Sequence, residues 1–167
     1  LAFDNGTVLN IADLVNKPTT PAPGYTPTTG NDTINASAAT AAVTINLLAG
    51  NDTFTGSNFN DNITAGDGND TVEGRGGNDV MTGGVGTDTV TYAGATAAVT
   101  VNLATTTAQN TAGAGTDTIS TFENLTGSGY SDTLTGDANA NVINGGSGDD
   151  TIQGGAGNDT LVGGAGI

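Results

Sequence analysis

An aspartate recurs every nine residues through the middle of this chain, at Asp52, Asp61, Asp70, Asp79 and Asp88, and two residues after each stands a large apolar side chain: Phe54, Ile63, Val72, Met81 or Val90. A second block keeps the spacing through Glu123, Asp132, Asn141, Asp150 and Asp159, each followed two places later by Leu125, Leu134, Ile143, Ile152 or Leu161. A fixed period of this kind marks a repeat architecture, in which one short unit stacks on copies of itself. One apolar residue in nine is too sparse for an amphipathic helix, which needs three or four per two turns. It suits a three-residue strand, polar-apolar-polar, joined to the next by glycine-rich residues whose tolerance of positive φ permits a tight reversal. Two repeats then make one 18-residue coil with a strand on each of two stacked sheets. The expected fold is all-β, a parallel β-roll (β-solenoid) of about seven such coils around a thin apolar core.

The register predicts fourteen strand centres: Ile34, Ile45, Phe54, Ile63, Val72, Met81, Val90, Val101, Ile119, Leu125, Leu134, Ile143, Ile152 and Leu161. DTINASAATAAVTINL from Asp32 and DTVTYAGATAAVTVNL from Asp88 align without a gap, and in both the next centre comes eleven residues after the last. Loops are therefore enlarged near 36–43 and 92–98, and again over 104–116 ahead of Asp117. Pro18, Pro21, Pro23 and Pro27 mark residues 17–29 as an extended linker. Residues 1–16 read as the end of a preceding unit, with a turn at Asp4-Asn5-Gly6 and a short helix capped by Asn10. Residues 30–167 form the roll, and the closing GGAGI stops inside a repeat, so the chain reads as a fragment of a larger protein.

Coiling brings loops 18 residues apart onto one edge at an inter-strand spacing of about 4.8 Å. Strict alternation places Asp32, Asp52, Asp70, Asp88, Asp117, Asp132 and Asp150 on one edge, and Asp61, Asp79, Glu123, Asn141 and Asp159 on the other. Val43 and Ala97 fall where the second edge's acid would stand, and no ion is expected there. Ionised carboxylates so close repel one another unless a cation lies between them. Calcium, a hard cation that takes six to eight oxygens from carboxylates and carbonyls, suits such a column.

Composition supports that choice. The net charge is -15, and Lys17 and Arg75 are the only cationic side chains, which disfavours nucleic acid and anionic lipid surfaces. The absence of cysteine and histidine closes off thiolate, disulfide and zinc chemistry. No apolar run approaches the ~20 residues of a transmembrane helix. With aromatic residues at 4%, a conventional core is thin, and scattered acids would leave the chain disordered. At free calcium tenfold above the dissociation constant each site contributes about 1.4 kcal/mol, so six to eight sites supply roughly 8 to 11 kcal/mol, a typical domain's whole stability. The chain is expected to unfold without calcium.

GGVGTDTVT, GGSGDDTIQ and GGAGNDTLV resemble the RTX, or haemolysin-type, nonapeptide GGxGxDxUx, where U is large and apolar. The resemblance runs from about Thr28 to the C-terminus. It implies roughly 6 to 9 calcium ions, bound by the acid at the sixth position and by carbonyls of the glycine-rich loops. Mapped here, these are Asp32, Asp52, Asp61, Asp70, Asp79, Asp88, Asp117, Glu123, Asp132, Asn141, Asp150 and Asp159, with Gly50, Gly66, Gly68, Gly74, Gly77, Gly84, Gly86, Gly146, Gly148, Gly155 and Gly157. The sequence departs from the pattern where Leu48, Phe59 and Arg75 replace glycines, where Asn141 replaces an aspartate and where Glu123 is a longer acid. LAFDNGTVLNIADL resembles the segment that closes a block in such arrays. The resemblance also implies type I secretion, with low cytosolic calcium leaving the chain unfolded for export.

Outside the register, Asp4, Asp13 and Asp137 read as turn, helix-surface and loop residues, and Asp67 and Asp149 as solvated or auxiliary acids. Paired carboxylates can serve a glycosidase, but every candidate here belongs to a ladder, no Ser/His or Cys/His pair exists, and Gly155-Ala156-Gly157 lacks a nucleotide loop's strand-to-helix setting. The chain is expected not to be an enzyme. Two roles remain: a calcium-rigidified structural module of a secreted or cell-surface bacterial protein (adhesin, surface layer or filament), partnered by neighbouring repeat units, or the calcium-dependent C-terminal module of an exported protease, lipase or alginate epimerase. Threonines flanking the strands raise ice or glycan binding as a third, interrupted by Glu73, Asn144 and Gln153.

Overall fold

The computed structural model describes Val8–Asn10 and residues 27–166. Among the described residues, sixteen short strands, numbered in chain order, build two stacked faces. On the first face lie β1 (Val8–Asn10), β2 (Thr33–Asn35), β4 (Thr53–Thr55), β6 (Thr71–Glu73), β8 (Thr89–Thr91), β12 (Asn124–Thr126), β14 (Val142–Asn144) and β16 (Thr160–Val162), hydrogen-bonded in that order. The second face carries β3 (Thr44–Asn46), β5 (Asn62–Asp67), β7 (Val80–Val85) and β11 (Thr116–Ser120), then β10 (Gln109–Asn110), and in a further sheet β9 (Thr100–Asn102), β13 (Thr133–Thr135) and β15 (Thr151–Gln153). Each of the fourteen expected centres lies in a parallel strand, and equivalent centres pair: Phe54 with Ile34 and Val72, Met81 with Ile63 and Ile119, Leu134 with Val101 and Ile152.

The alternation turns the apolar centre of the regular strands inward, and Phe54, Ile63, Val72, Met81, Val90, Leu125, Leu134 and Ile143 are fully buried, whereas Leu161 in the last strand is exposed. A second inward position follows two residues later. It holds Gly56, Gly74, Gly83, Gly127, Gly136 and Gly145 in the regular coils, but Leu47, Tyr92 and Leu103 next to the irregular ones, where larger side chains fill the core.

Two features of the path differ from strict alternation. After β8 the chain lays both β9 and β11 on the second face. Between them β10 runs antiparallel to β11, and Val99 bridges Ala112 antiparallel, so the insertion folds back as a hairpin between neighbouring rungs. The chain returns to the first face at β12, directly beside β8. Everything after the insertion therefore exchanges edges relative to the expectation. The first edge stacks Asp32, Asp52, Asp70, Asp88, Glu123, Asn141 and Asp159, while the second stacks Asp61, Asp79 and Asp117, then Asp132 and Asp150. The vacant acid position is likewise Val99 rather than Ala97, because it is set by distance from the strand centre Val101 and not by counting from Asp88.

Before the linker, Val8–Asn10 pairs in parallel with Thr33–Asn35, so this segment adds a rung to the first face. The turn at Asp4-Asn5-Gly6, the helix after Asn10 and most of the 17–29 linker lie outside the described residues.

Candidate metal centres

Each edge is organised by a bond between successive rungs, in which an acid's carboxylate accepts the backbone N–H of the corresponding residue one coil earlier. On the first edge Asp32 donates to Asp52 Oδ1 (2.8 Å), Asp52 to Asp70 Oδ1 (2.7 Å), Asp70 to Asp88 Oδ1 (2.9 Å) and Asp88 to Glu123 Oε2 (2.8 Å). The longer acid thus keeps the ladder unbroken. Asn141 interrupts it: its amide donates to Glu123 O (2.8 Å) and its Oδ1 accepts from Asp137 N (2.9 Å), although its own N–H continues to Asp159 Oδ1 (3.0 Å). On the second edge Val43 donates to Asp61 Oδ1 (2.7 Å), Asp61 to Asp79 Oδ1 (2.8 Å) and Asp79 to Asp117 Oδ1 (3.0 Å). Beyond the hairpin Val99 restarts the series with Asp132 (2.8 Å), and Asp132 continues it to Asp150 (2.9 Å).

One oxygen of each carboxylate is thereby used. The other is buried without a hydrogen-bond partner, among the described residues, at Asp52, Asp70, Asp79, Asp88 and Asp150. Leaving a buried carboxylate oxygen unpaired is costly. Burial, only partly offset by the ladder N–H and reinforced by neighbouring acids, pushes Asp52 and Asp88 up to about 6 and Asp79 to about 7. A cation at these oxygens removes both penalties.

Glycine-rich loops precede these acids and leave their backbone carbonyls unobstructed by side chains. Gly66, Gly68, Gly84 and Gly86 all have positive φ, as do Gly50, Gly77, Gly146, Gly148, Gly155 and Gly157. A Cβ on Gly84 would overlap the carbonyl oxygen of Gly66, and one on Gly86 that of Gly68, so consecutive loops stack backbone on backbone. Gly74 acts differently: it leaves the space that the Asp79 carboxylate occupies, as Gly145 does for Asp150. Arg75 and Leu48 keep the left-handed geometry of the glycines they replace (φ 71 and 81). The donor set is oxygen alone, carboxylate and carbonyl, which fits calcium. Among the described residues no three acidic side chains converge on one point, because the acids are strung along the edges and most ligands would be backbone.

Sequence reasoning missed two sets of donors. Asparagines just before the acids form a second ladder running the opposite way: Asn51 N donates to Asn31 Oδ1 (2.7 Å), Asn69 N to Asn51 Oδ1 (2.9 Å) and Thr87 N to Asn69 Oδ1 (2.9 Å). The recurring Asn-Asp pair is its visible signal in the sequence. Asp117 is also held from inside the core, where its Oδ2 accepts from the Tyr92 hydroxyl (3.2 Å) and Thr111 Oγ1 (3.0 Å). Burial raises the Asp117 carboxyl, and those bonds oppose the rise.

The family model described as the RTX calcium-binding nonapeptide repeat matches in four copies, over residues 42–61, 55–90, 111–152 and 135–167, together more than half of the chain. No curated protein matches it. No helix among the described residues is long and apolar enough to cross a membrane.

Proposed function

Since the chain belongs to the RTX calcium-binding nonapeptide repeat family, we propose that it is a calcium-rigidified structural module of a secreted or cell-surface bacterial protein, such as an adhesin, surface layer or extracellular filament, folding on calcium after export. The observation that carries this reading is the set of buried, unpartnered Oδ2 atoms on Asp52, Asp70, Asp79, Asp88 and Asp150. A chain that orders those oxygens needs a cation in return, and calcium outside the cell provides it. The pairing of Val8–Asn10 with Thr33–Asn35 supports a stack that continues on the N-terminal side of the linker. The acids with a bare buried oxygen would hold the ion, and the N–H bonds along each edge brace the coils.

Circular dichroism during a calcium titration tests the proposal. Chelation is expected to abolish the β-signal and added calcium to restore it cooperatively. An unchanged spectrum in excess chelator would sink the reading.

A further inference from the structure

For Asp32, Asp52, Asp61, Asp70, Asp79, Asp88, Asp132 and Asp150, the presence of a buried bare oxygen tracks the residue four places before the acid. Ahead of Asp32, Asp61 and Asp132 that residue is Thr28, Ser57 or Ser128. Its backbone N–H donates to the acid's Oδ2 at 2.7, 2.7 and 2.5 Å, and its hydroxyl donates to Oδ1 at 3.2, 2.8 and 2.7 Å. The same hydroxyl accepts the N–H of Gly30, Phe59 or Tyr130 at 3.2, 3.0 and 3.1 Å, so the five-residue loop closes on itself. Ahead of Asp52, Asp70, Asp79, Asp88 and Asp150 the residue is Leu48, Gly66, Arg75, Gly84 or Gly146, each with positive φ. None carries a hydroxyl, and Leu48, Gly84 and Gly146 turn their N–H to Asn46, Thr121 and Asn144 instead. These are the five acids whose Oδ2 is buried and bare.

We infer that the roll contains two kinds of acidic loop, and that Thr28, Ser57 and Ser128 take the place of calcium in theirs. Asp61 shows why. Its Oδ1 already accepts the Val43 N–H and the Ser57 hydroxyl, and its Oδ2 the Ser57 N–H. An ion there would have to displace donors already in place, with no bare buried oxygen to satisfy. The loop also lacks the left-handed residues that stack its glycine counterparts, since neither Ser57 nor Phe59 has positive φ. Asp117 reaches the same condition through Tyr92 and Thr111. Calcium demand is thus concentrated on the uninterrupted run Asp52, Asp70, Asp88, with Asp79 and Asp150 standing beside self-closed neighbours on the second edge.

The inference rests on the calcium reading above and assigns it residue by residue. The test is the number of calcium ions retained by the folded chain at saturating calcium, counted by native mass spectrometry. Asp61→Asn and Asp132→Asn are expected to leave the number unchanged, while Asp70→Asn and Asp88→Asn lower it by at least one. A loss in Asp61→Asn or Asp132→Asn equal to that in Asp70→Asn overturns the assignment and leaves the family reading intact. Wild-type protein that retains no calcium overturns both. Ser57→Ala covers the case in which the aspartate variants do not fold: the ion count should hold while the melting temperature at saturating calcium falls, and a lower ion count would make the hydroxyl a ligand and overturn the assignment.

Discussion

The backbone N–H of Asp70 donates to Asp88 Oδ1 at 2.9 Å across 18 residues of sequence, while Oδ2 of the same Asp88 carboxylate is buried with no donor. One side chain thus ties two coils together through one oxygen and presents the other to a cation. Structure and ion binding are coupled at a single group.

Asp70 is the middle acid of the best-formed run, accepting from Asp52 N at 2.7 Å. Asp70→Ala leaves that buried N–H without an acceptor, at about 1 to 3 kcal/mol, and removes an ion-facing oxygen as well. We expect a loss of at least about 2 kcal/mol at saturating calcium, by urea denaturation, and a higher calcium midpoint. The exposed Asp67→Ala should stay within about 0.5 kcal/mol.

Without calcium, acid should favour the fold. Burial lifts Asp52 and Asp88 to about 6 and Asp79 to about 7, whereas in the unfolded chain such groups titrate near ~3.9. Between those values the folded form holds more protons, so its stability is fully present below about pH 4 and is lost as pH rises through 6 to 7. Metal-stripped protein should therefore show more β-structure at pH 5 than at pH 8. In calcium the sign reverses, because protons compete with the ion for the carboxylates. Greater stability of the metal-free form at pH 8 would contradict this.

Gly84 has a φ of 124 and sits against the carbonyl oxygen of Gly66. Gly84→Ala combines backbone strain with steric overlap and should cost at least about 2 kcal/mol. Gly129 has no heavy atom within 4 Å of its would-be Cβ. Thermal melts should show Gly129→Ala neutral or slightly stabilised.

Tyr92→Phe keeps the ring in the core but removes the hydroxyl that Asp117 Oδ2 accepts from at 3.2 Å. The expected loss is about 1 to 2 kcal/mol in calcium-saturated protein, again measured by denaturation. An unchanged stability would mean that the Thr111 bond alone satisfies the carboxylate.

Much of this was legible because the repeat is local. A glycine-rich turn and a polar-apolar-polar triplet form the same unit wherever they occur, so Ile34 through Leu161 could be placed from spacing alone, irregular coils included. The distinction between Asp61 and Asp79 was harder to see. Both occupy the sixth position of a repeat, and they differ through Ser57 and Arg75, whose significance appears once the hydroxyl is seen to close on the carboxylate.

The sequence by itself determined the strand centres, the two-faced roll and the oxygen-rich edges, since each follows from contacts within one or two repeats. The tertiary structure decided which acids share an edge. That depends on the hairpin of β9, β10 and β11, which places two parallel strands on one face before the chain crosses back, a choice governed by long-range pairing of Ile119 with Met81 and Leu125 with Val90. It also decided which carboxylates keep an oxygen for calcium, because a donor's worth to a buried acid depends on where folding places it.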